Sequence, residues 1–420
     1  MEVVGQVVIY IIMAFGIAGA VAAIRDDEHG MGAEWKEGLH SIGPIFIPVA
    51  GIMASIPFLA GFVERVVGPL FGVVGADPAL AATSVIAVDM GGYQLAHAIA
   101  QSSGAWIIAA VVGYMAGATI VFSIPVGLAM LEDRDHKYMA LGIMSGILTV
   151  PVGTFITVIA LTSVGTPVRD EISTTAESTF SMATVPLSTI LLNLIPLVVF
   201  VGLIALGLYL FPDRMIKGFM WFGRFMDAGI KIVLALAITE YFTGVFSTVL
   251  GTWGFDPIIA DTEDQFRALE IAGYIGIMLS GAFPMVYVIR TRLARPLGVI
   301  GQRFGISAEG SAGILAAAAN IIALFHMVKK IPPKDKVLCI AFAVCAAFLL
   351  GDHLAFTANF QPNMILPLML GKLGGGLLAI ALAMRIAVPT ALRLEREDRA
   401  AGVIGEDEYL GPQAGTEQPA

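Results

Sequence analysis

Residues 76–99, ADPALAATSVIAVDMGGYQLAHAI, form an apolar stretch of membrane-spanning length that is interrupted near its middle. The interruption is Asp89-Met90-Gly91-Gly92, and paired glycines disfavour a continuous helix. Unwound backbone inside a membrane is tolerated only where it is buried in protein or lines a cavity. The stretch therefore predicts a discontinuous helix that carries a carboxylate into the interior of a membrane protein.

The rest of the chain has the composition of a membrane protein. Its 420 residues are 57% hydrophobic and only 14% charged, whereas a soluble domain carries about 25% charged residues. The glycines follow no period and there are 2 cysteines, which excludes collagen-like and disulfide-framework proteins. We expect an all-α polytopic membrane protein in a lipid bilayer, with Cys339 and Cys345 packed as free thiols in one apolar span.

About nine transmembrane helices are expected, together with two discontinuous or re-entrant segments. The second discontinuous segment, 304–328, contains Glu309-Gly310 and Asn320. The start of the chain lacks the basic residues of a signal peptide, so we expect an uncleaved helix there. The expected spans are 2–24, 41–63, 104–130, 139–163, 187–211, 225–250, 268–290, 337–356 and 363–390.

Clusters of Lys and Arg alternate along the chain in a way that predicts its orientation. By the positive-inside rule the C-terminus is cytoplasmic and the N-terminus is outside. Residues 1–390 are expected to form one transmembrane transport domain. Residues 391–420, with seven acidic and three basic side chains, are expected to form an acidic cytoplasmic tail. The net charge of −9 lies largely there and in 256–267, and nothing in the pattern indicates nucleic-acid binding.

An offset of about 231 residues aligns the two halves of the chain, about 1–165 and 225–390, with 187–211 as a connector helix. Asp89 then falls on Asn320, and the paired spans have opposite predicted orientation. Inverted-topology repeats with discontinuous helices are typical of secondary transporters. The alternative is that a chain with nine spans aligns with itself at some offset without any repeat.

Ionised side chains inside a bilayer cost about 2.5–3.5 kcal/mol on insertion scales, so each of them needs a reason. Asp89 could bind a cation beside the aromatic ring of Tyr93, or it could cap the broken helix. Asp352, after Gly351 and before the polar run that includes Asn359, could bind a small polar solute or lie in a solvated loop. Pro125 frees a helical carbonyl group that a hydroxyl group such as that of Ser123 could bond.

Several catalytic motifs are missing from the sequence. It has no phosphate-binding G-x-x-x-x-G-K-[ST], no H-E-x-x-H and no G-x-S-x-G. Gly351-Asp352 is similar to the motif of intramembrane aspartyl proteases, but Leu349 stands where that motif needs glycine. We therefore expect a protein that is not an enzyme and uses neither a cofactor nor a metal.

Three motifs resemble those of the ethanolamine utilisation transporter family (EutH). The resemblance covers nearly the whole chain, in order, and rests on Asp89-Met90-Gly91-Gly92-Tyr93, on Thr119–Pro125 continuing to Tyr138–Gly142, and on Leu350–Leu354 with Gly371-Lys372-Leu373. Segments 25–40, 164–185, 251–267 and the tail match poorly. The resemblance implies an ethanolamine permease of the bacterial cytoplasmic (inner) membrane.

Ethanolamine is a small ammonium ion with one hydroxyl group, so its recognition needs a carboxylate, aromatic faces and a polar partner for the hydroxyl. We predict Asp89 as the counter-ion, Tyr93 and Phe122 as walls, and Asp352 as a second cation ligand or a proton-coupling group. The candidates for the hydroxyl group are Ser123, Asn320 and Asn359, and the predicted backbone breaks are at Gly91, Gly92, Pro125 and Gly351.

Transport by alternating access is the favoured interpretation, as a carrier or a facilitator. Two other classes stay open at this stage: an intramembrane aspartyl enzyme that uses Asp89 and Asp352, and a non-transporting scaffold recruited through the acidic tail. The coupling ion and the oligomeric state are left open.

Overall fold

The computed structural model describes residues 2–405 and 408–409, so predictions for 406–407 and 410–420 lie outside the described residues. Most of the described chain is helical, its strands are one pair of two residues each, and the fold is that of an all-α polytopic membrane protein. The first half contains the helices α1 Glu2–Arg25, α2 Gly30–His40, α3 Ile42–Ala54, α4 Ile56–Phe62, α5 Gly68–Val73, α6 Ala79–Val85, α7 Gly92–Ile99, α8 Ser103–Val112, α9 Ile124–Met130, α10 Asp133–Ile147 and α11 Val150–Ser163.

The second half begins with a small hairpin and continues with long helices. Two π-helical segments, Val63–Val67 and Gly113–Ser123, join α4 to α5 and α8 to α9. The remaining elements are β1 Pro167–Val168 and β2 Phe180–Ser181, then α12 Leu187–Leu210, α13 Pro212–Thr243, α14 Val245–Leu250, α15 Ala268–Arg303, α16 Ala308–Ala319, α17 Ile321–Met327, α18 Pro333–Ala346, α19 Asp352–Phe360, α20 Ile365–Ile386 and α21 Val388–Ala400.

Eight helical stretches of the described chain have the length and composition to cross a membrane, one fewer than the nine predicted. They are Val3–Arg25, Gly30–Ala54, Ile56–Val73, Ser103–Met130, Asp133–Ser163, Leu187–Leu210, Ala268–Arg303 and Pro362–Ile386. Many large apolar side chains of α1, α12 and α13 are exposed, as expected for helices that face lipid. The core lies where α18 packs against α10, α16 and α20.

The predicted span 41–63 is wrong, because the structure breaks it at Ser55. The Ser55 hydroxyl donates to the carbonyl oxygen of Gly51, and Pro57 has no N–H to continue the helical bonding. The span instead includes α2, which lies between the expected spans 2–24 and 41–63. Gly38 lets α2 pack on α15, since a Cβ atom there would lie 2.4 Å from the backbone nitrogen of Ser280.

Two other predicted spans also differ from the structure. The stretch 337–356 is not continuous, because α18 ends at Ala346 and α19 begins at Asp352. The stretch 225–250 lies within α13 and α14, which are separated at Gly244 with φ of +61°, and α13 is not among the eight candidate spans. The carboxylate of Glu240 accepts the N–H groups of Phe246 and Ser247 and so caps α14.

Other predictions hold in the described residues. Both segments predicted as discontinuous are broken, the first between α6 and α7 and the second at Asn320. Cys339 and Cys345 are free and buried. The inverted repeat stays a prediction.

The predicted acidic tail begins within helix α21, which packs against α18 and α20. The carboxylate of Asp398 accepts hydrogen bonds from Lys137 and Tyr138 at the start of α10. Farther along, Lys336 of α18 donates both to Asp135 and to the hydroxyl group of Tyr409. The described part of the tail is thus attached to the helix ends rather than free.

Candidate functional site

The first helix break brings Asp89 into the interior on residues 86–91, which contain the 3-10 turn Val88–Met90. The N–H groups of Met90 and Gly92 both donate to the carbonyl oxygen of Ala87, which closes a tight turn. Gly91 has φ of +89°, a left-handed conformation that glycine adopts without steric cost. A Cβ atom on Gly92 would lie 2.5 Å from that same carbonyl oxygen, so both glycines are required by the local geometry.

The π-helical segment Gly113–Ser123 packs directly against this break. A Cβ atom on Gly117 would lie 2.2 Å from the carbonyl oxygen of Ile86 and 2.5 Å from that of Thr83. Glycine at this position therefore allows the unwound backbone to approach the π-helix. At the end of the π-helix, Pro125 enters α9 and packs against Gly223 of α13.

The second break, at Asn320, and a third break, between α18 and α19, are joined by backbone hydrogen bonds. The N–H groups of Phe348 and Leu350 donate to the carbonyl oxygens of Ala317 and Ala318, which the end of α16 leaves without helical partners. Gly351 approaches Ala319 so closely that a Cβ atom would lie 2.3 Å from its carbonyl oxygen. The break before α19 is thus produced by a neighbouring helix end.

Asn320 occupies the second break and caps the next half-helix. Its Oδ1 atom accepts the N–H of Ile322 at 2.8 Å. Its amide nitrogen forms no hydrogen bond with any residue that the structure describes. Asn320 lines the cavity described next.

The three breaks surround one cavity of about 510 Å³. This volume lies within the range of about 300–1,000 Å³ that is usual for small-molecule sites. The lining includes the side chains of Asp89, Phe122, Asn320, Phe348, Asp352 and His353. Two carboxylates that lie 263 positions apart in the sequence therefore face the same space.

A chain of contacts leads from the cavity into the protein behind it. The Nε2 atom of His353 lies 4.0 Å from Oδ2 of Asp89, and its Nδ1 atom lies 2.9 Å from Nζ of Lys372. Lys372 is 1% exposed and donates to the carbonyl oxygen of Tyr114 at 2.8 Å. A buried imidazole thus separates a buried ammonium group from the cavity carboxylate.

Aromatic rings form the wall beside the carboxylates. The ring centroids of Phe122 and Phe348 are 5.8 Å apart, and Phe348 lies 5.2 Å from the ring of His353. Phe348 has φ of +59°, a left-handed conformation that is strained for a residue with a bulky side chain. The break before α19 holds this ring at the cavity, where it offers a face to a cation.

One end of the cavity reaches the surface, and we call this end the mouth. It carries Glu34 and Glu37 of α2, Arg290 of α15 and His326 of α17. A guanidinium nitrogen of Arg290 lies 3.4 Å from a carboxylate oxygen of Glu34, so the two helices are linked by an ion pair. Acidic groups at the mouth favour the entry of cations.

The opposite end, which we call the closed end, is filled by α19 and the aromatic residues around it. Tyr93 packs 5.4 Å from Phe356, and its hydroxyl accepts a hydrogen bond from the side chain of Gln361 at 2.8 Å. Gln361 in turn bonds the backbone of Arg169 at both its N–H and its carbonyl group.

Arg169 fastens the hairpin loop over this end. Its guanidinium group donates to five carbonyl oxygens, two of them at the C-terminal end of α19. Burial lowers the pKa of Arg169 from its ordinary value. The nine residues of α19, about 13 Å of helix, lie between the cavity and this seal.

Of the seven predicted binding residues, the structure brings four to the cavity: Asp89, Phe122, Asn320 and Asp352. The other three lie outside its lining because their polar groups are used elsewhere. Tyr93 bonds Gln361 at the closed end, the hydroxyl of Ser123 donates to the carbonyl oxygen of Ala118, and the Asn359 amide donates to the carbonyl oxygens of Tyr274 and Ala355.

Sequence reasoning left out His353, Phe348 and Lys372. His353 and Lys372 belong to motifs that had been singled out, Gly351-Asp352-His353 and Gly371-Lys372-Leu373, so a signal for them was present. Phe348 carried none, because the predicted break at Gly351 did not indicate that the break extends back to residue 347. Within residues 2–405 and 408–409 there is no cluster of His, Cys, Asp and Glu side chains that could hold a metal ion.

Comparisons with known proteins agree over nearly the full length. Residues 4–386 match the profile of the family described as "Ethanolamine utilisation protein, EutH". The chain is 36% identical to the "Probable ethanolamine permease EutH" of Listeria monocytogenes, over 91% of this chain and 94% of that protein. It is 35% identical to the protein of the same description in Escherichia coli, over 94% and 99% of the two chains. No solved structure matches.

Proposed function

Because the chain belongs to the EutH family of ethanolamine utilisation proteins, we propose that it transports protonated ethanolamine across the bacterial cytoplasmic membrane. Relatives of similar length are described as probable ethanolamine permeases, and the chain has the helices of a multi-pass membrane protein. The observation that carries the proposal is the cavity in which Asp89 and Asp352 meet beside aromatic rings.

Each part of the cavity has a role in this proposal. The ammonium group of the substrate pairs with Asp89, against the faces of Phe122 and Phe348. A carboxylate and an aromatic face are the groups that stabilise a small desolvated cation. The amide nitrogen of Asn320 donates to the hydroxyl oxygen, and the carboxylate of Asp352 accepts a hydrogen bond from the hydroxyl group or serves as a second cation ligand. The polar groups of Tyr93, Ser123 and Asn359 already have protein partners, so we assign them to the scaffold.

The mouth and the closed end support alternating access. The cavity reaches the surface at Glu34 and Arg290, while α19 and the Arg169 seal block the other side. By the positive-inside rule the Arg290 end is cytoplasmic, so this conformation faces inward. Opening the other side requires α19 and the hairpin loop to separate from the aromatic residues around Tyr93.

An aspartyl enzyme is the second candidate, because two carboxylates face one cavity. Such catalysis needs the two carboxyl groups to share a proton. Asp89 instead has an imidazole beside it, and the relatives are described as permeases. Cleavage of a membrane-embedded peptide by the purified protein, lost in Asp89→Asn and Asp352→Asn, would favour the enzyme.

Counterflow of ethanolamine in proteoliposomes tests the transport proposal. Vesicles loaded with unlabelled ethanolamine should accumulate labelled ethanolamine transiently, at neutral pH and without an ion gradient, because exchange through one saturable site needs no other driving force. Protein-free vesicles are the control, since neutral ethanolamine crosses bilayers unaided. If vesicles that contain folded protein accumulate no more label than protein-free vesicles, the proposal of a carrier is refuted.

A further inference from the structure

Lys372 is buried without a carboxylate in contact. Its Nζ atom bonds only a carbonyl oxygen of Tyr114 and Nδ1 of His353, and no carboxylate oxygen of the described residues lies within 4.0 Å of it. An ammonium group has no lone pair, so it must donate to Nδ1. The neutral imidazole then carries its proton on Nε2, which faces the carboxylate of Asp89.

This arrangement can pass a proton between the lysine and the cavity. When Lys372 gives a proton to Nδ1, the imidazole can release the one on Nε2 to Asp89 and is neutral again as the other tautomer. The distance of 4.0 Å between Nε2 and Oδ2 must shorten by about 1 Å for a hydrogen bond. Asp89 lies on a short 3-10 turn between α6 and α7, and not within either helix.

The buried charges also need a balance. With Asp89 ionised, Asp352 protonated and Lys372 protonated, the empty site is neutral, and the binding of one ammonium ion adds one positive charge unless one proton leaves. An unbalanced charge away from water is costly, so a neutral state is favoured both with and without substrate. The titratable groups of this site and of the elements packed around it are Asp89, Asp352, His353, Lys372, Tyr114 and Cys345.

We propose that the cluster of Asp89, His353 and Lys372 exchanges one proton for each ammonium substrate that binds. The substrate replaces the Lys372 ammonium as the cation that balances Asp89. Lys372 transfers its proton to His353, and the proton leaves for solvent through the cavity, so the charge of the site is unchanged. This inference rests on the proposed function, and it makes the transport cycle an exchange of an ammonium ion for a proton.

Titration calorimetry of the purified full chain in detergent counts the protons. Ethanolamine hydrochloride is titrated at about pH 6 in two buffers of different ionisation enthalpy, and the difference in binding heat gives the protons released. We expect about one proton per ethanolamine for the wild type. We expect well under half a proton for Lys372→Met and for His353→Gln, with binding retained. Lys231→Met and His29→Gln, at exposed positions, are matched controls that should release as much as the wild type.

The possible outcomes separate this inference from the function on which it rests. Binding of ethanolamine by the wild type without proton release overturns the exchange and leaves the transport proposal standing. Retained binding with unchanged release in both variants overturns the assignment to Lys372 and His353. Absence of saturable binding to folded wild-type protein overturns the proposed function and the exchange with it. The number of protons that the wild type releases per ethanolamine tests the exchange by itself. The proposal can therefore be refuted even if one of the variants fails to fold.

Discussion

Removing the charge of Asp89 should weaken ethanolamine binding much more than it weakens the fold. Asp89→Asn keeps the size of the side chain, which is 17% exposed and lies on the cavity wall. A hydrogen bond to a charged group contributes about 1.5–3 kcal/mol. The expected rise in the dissociation constant is therefore roughly 10- to 150-fold.

In Asp89→Asn, Asp352 limits the loss of binding affinity, because this second carboxylate remains in the same cavity. Asp352→Asn alone should also weaken binding, and the double variant should lose more than the sum of the two single effects. In the double variant the substrate ammonium shares the site with Lys372 and no carboxylate. The effects of two substitutions on the binding free energy are not additive when both residues contact the same ligand.

Calorimetric dissociation constants and counterflow rates measure these effects on the same preparations. Folding is checked by heating with a thiol-reactive dye, because Cys339 and Cys345 are both buried in α18 and become reactive only when it opens. Asp227→Asn, at an exposed position on α13, is the matched control. If folded Asp89→Asn and Asp352→Asn both bind ethanolamine within about threefold of the wild type, the carboxylate site is refuted.

Three other substitutions test the packing around the cavity, each followed by the thiol dye during heating. Gly117→Val should greatly reduce the yield of folded protein, because the added Cβ atom would collide with a carbonyl oxygen. Gly202→Val is the control and should fold normally, because a Cβ atom there would meet no atom within 4 Å. Equal yields of the two variants would contradict the packing. Arg169→Met should lower the melting temperature by several degrees and raise vesicle leakage of ethanolamine, since five hydrogen bonds at the closed end are lost, and Arg295→Met on the exposed end of α15 should match the wild type. Asp398→Ala should cost about 1–3 kcal/mol of stability, because it leaves a tyrosine hydroxyl and a lysine ammonium without their acceptor, and an unchanged melting curve would show that α21 is not attached there.

The sequence predicted the parts of the site whose cause is local. Asp89-Met90-Gly91-Gly92 breaks a helix by itself, since two glycines and a carboxylate disfavour it in any context. Asn320 was predicted because an offset of about 231 residues aligns it with Asp89. Both residues line the cavity.

The parts that were missed depend on tertiary contacts. A break was predicted at Gly351, but it extends back through the apolar residues from 347 because the free carbonyl oxygens of Ala317 and Ala318 bind N–H groups of that stretch. Helix α2 has a polar sequence, and its place beside the cavity follows from the close approach of Gly38 to α15.

The direction in which a side chain points was also beyond the sequence pattern. The segment 113–123 is π-helical, so its side chains do not follow the α-helical period. Phe122 faces the cavity, while the neighbouring Ser123 bonds the carbonyl oxygen five residues before it. Similarly, Tyr93 lies only four positions after Asp89, yet it belongs to the closed end.

The position of the mouth has a pharmacological consequence. An amine with a bulky substituent could insert its ammonium group between Asp89 and Phe122 while the substituent fills the space between Glu34 and Arg290. Such a compound would hold α2 and α15 apart and stop the cycle in this one conformation. It would inhibit from the face that carries the mouth and not from the face sealed by Arg169. Applied separately to right-side-out and inverted vesicles, the same inhibitor would report the orientation of the protein in the membrane.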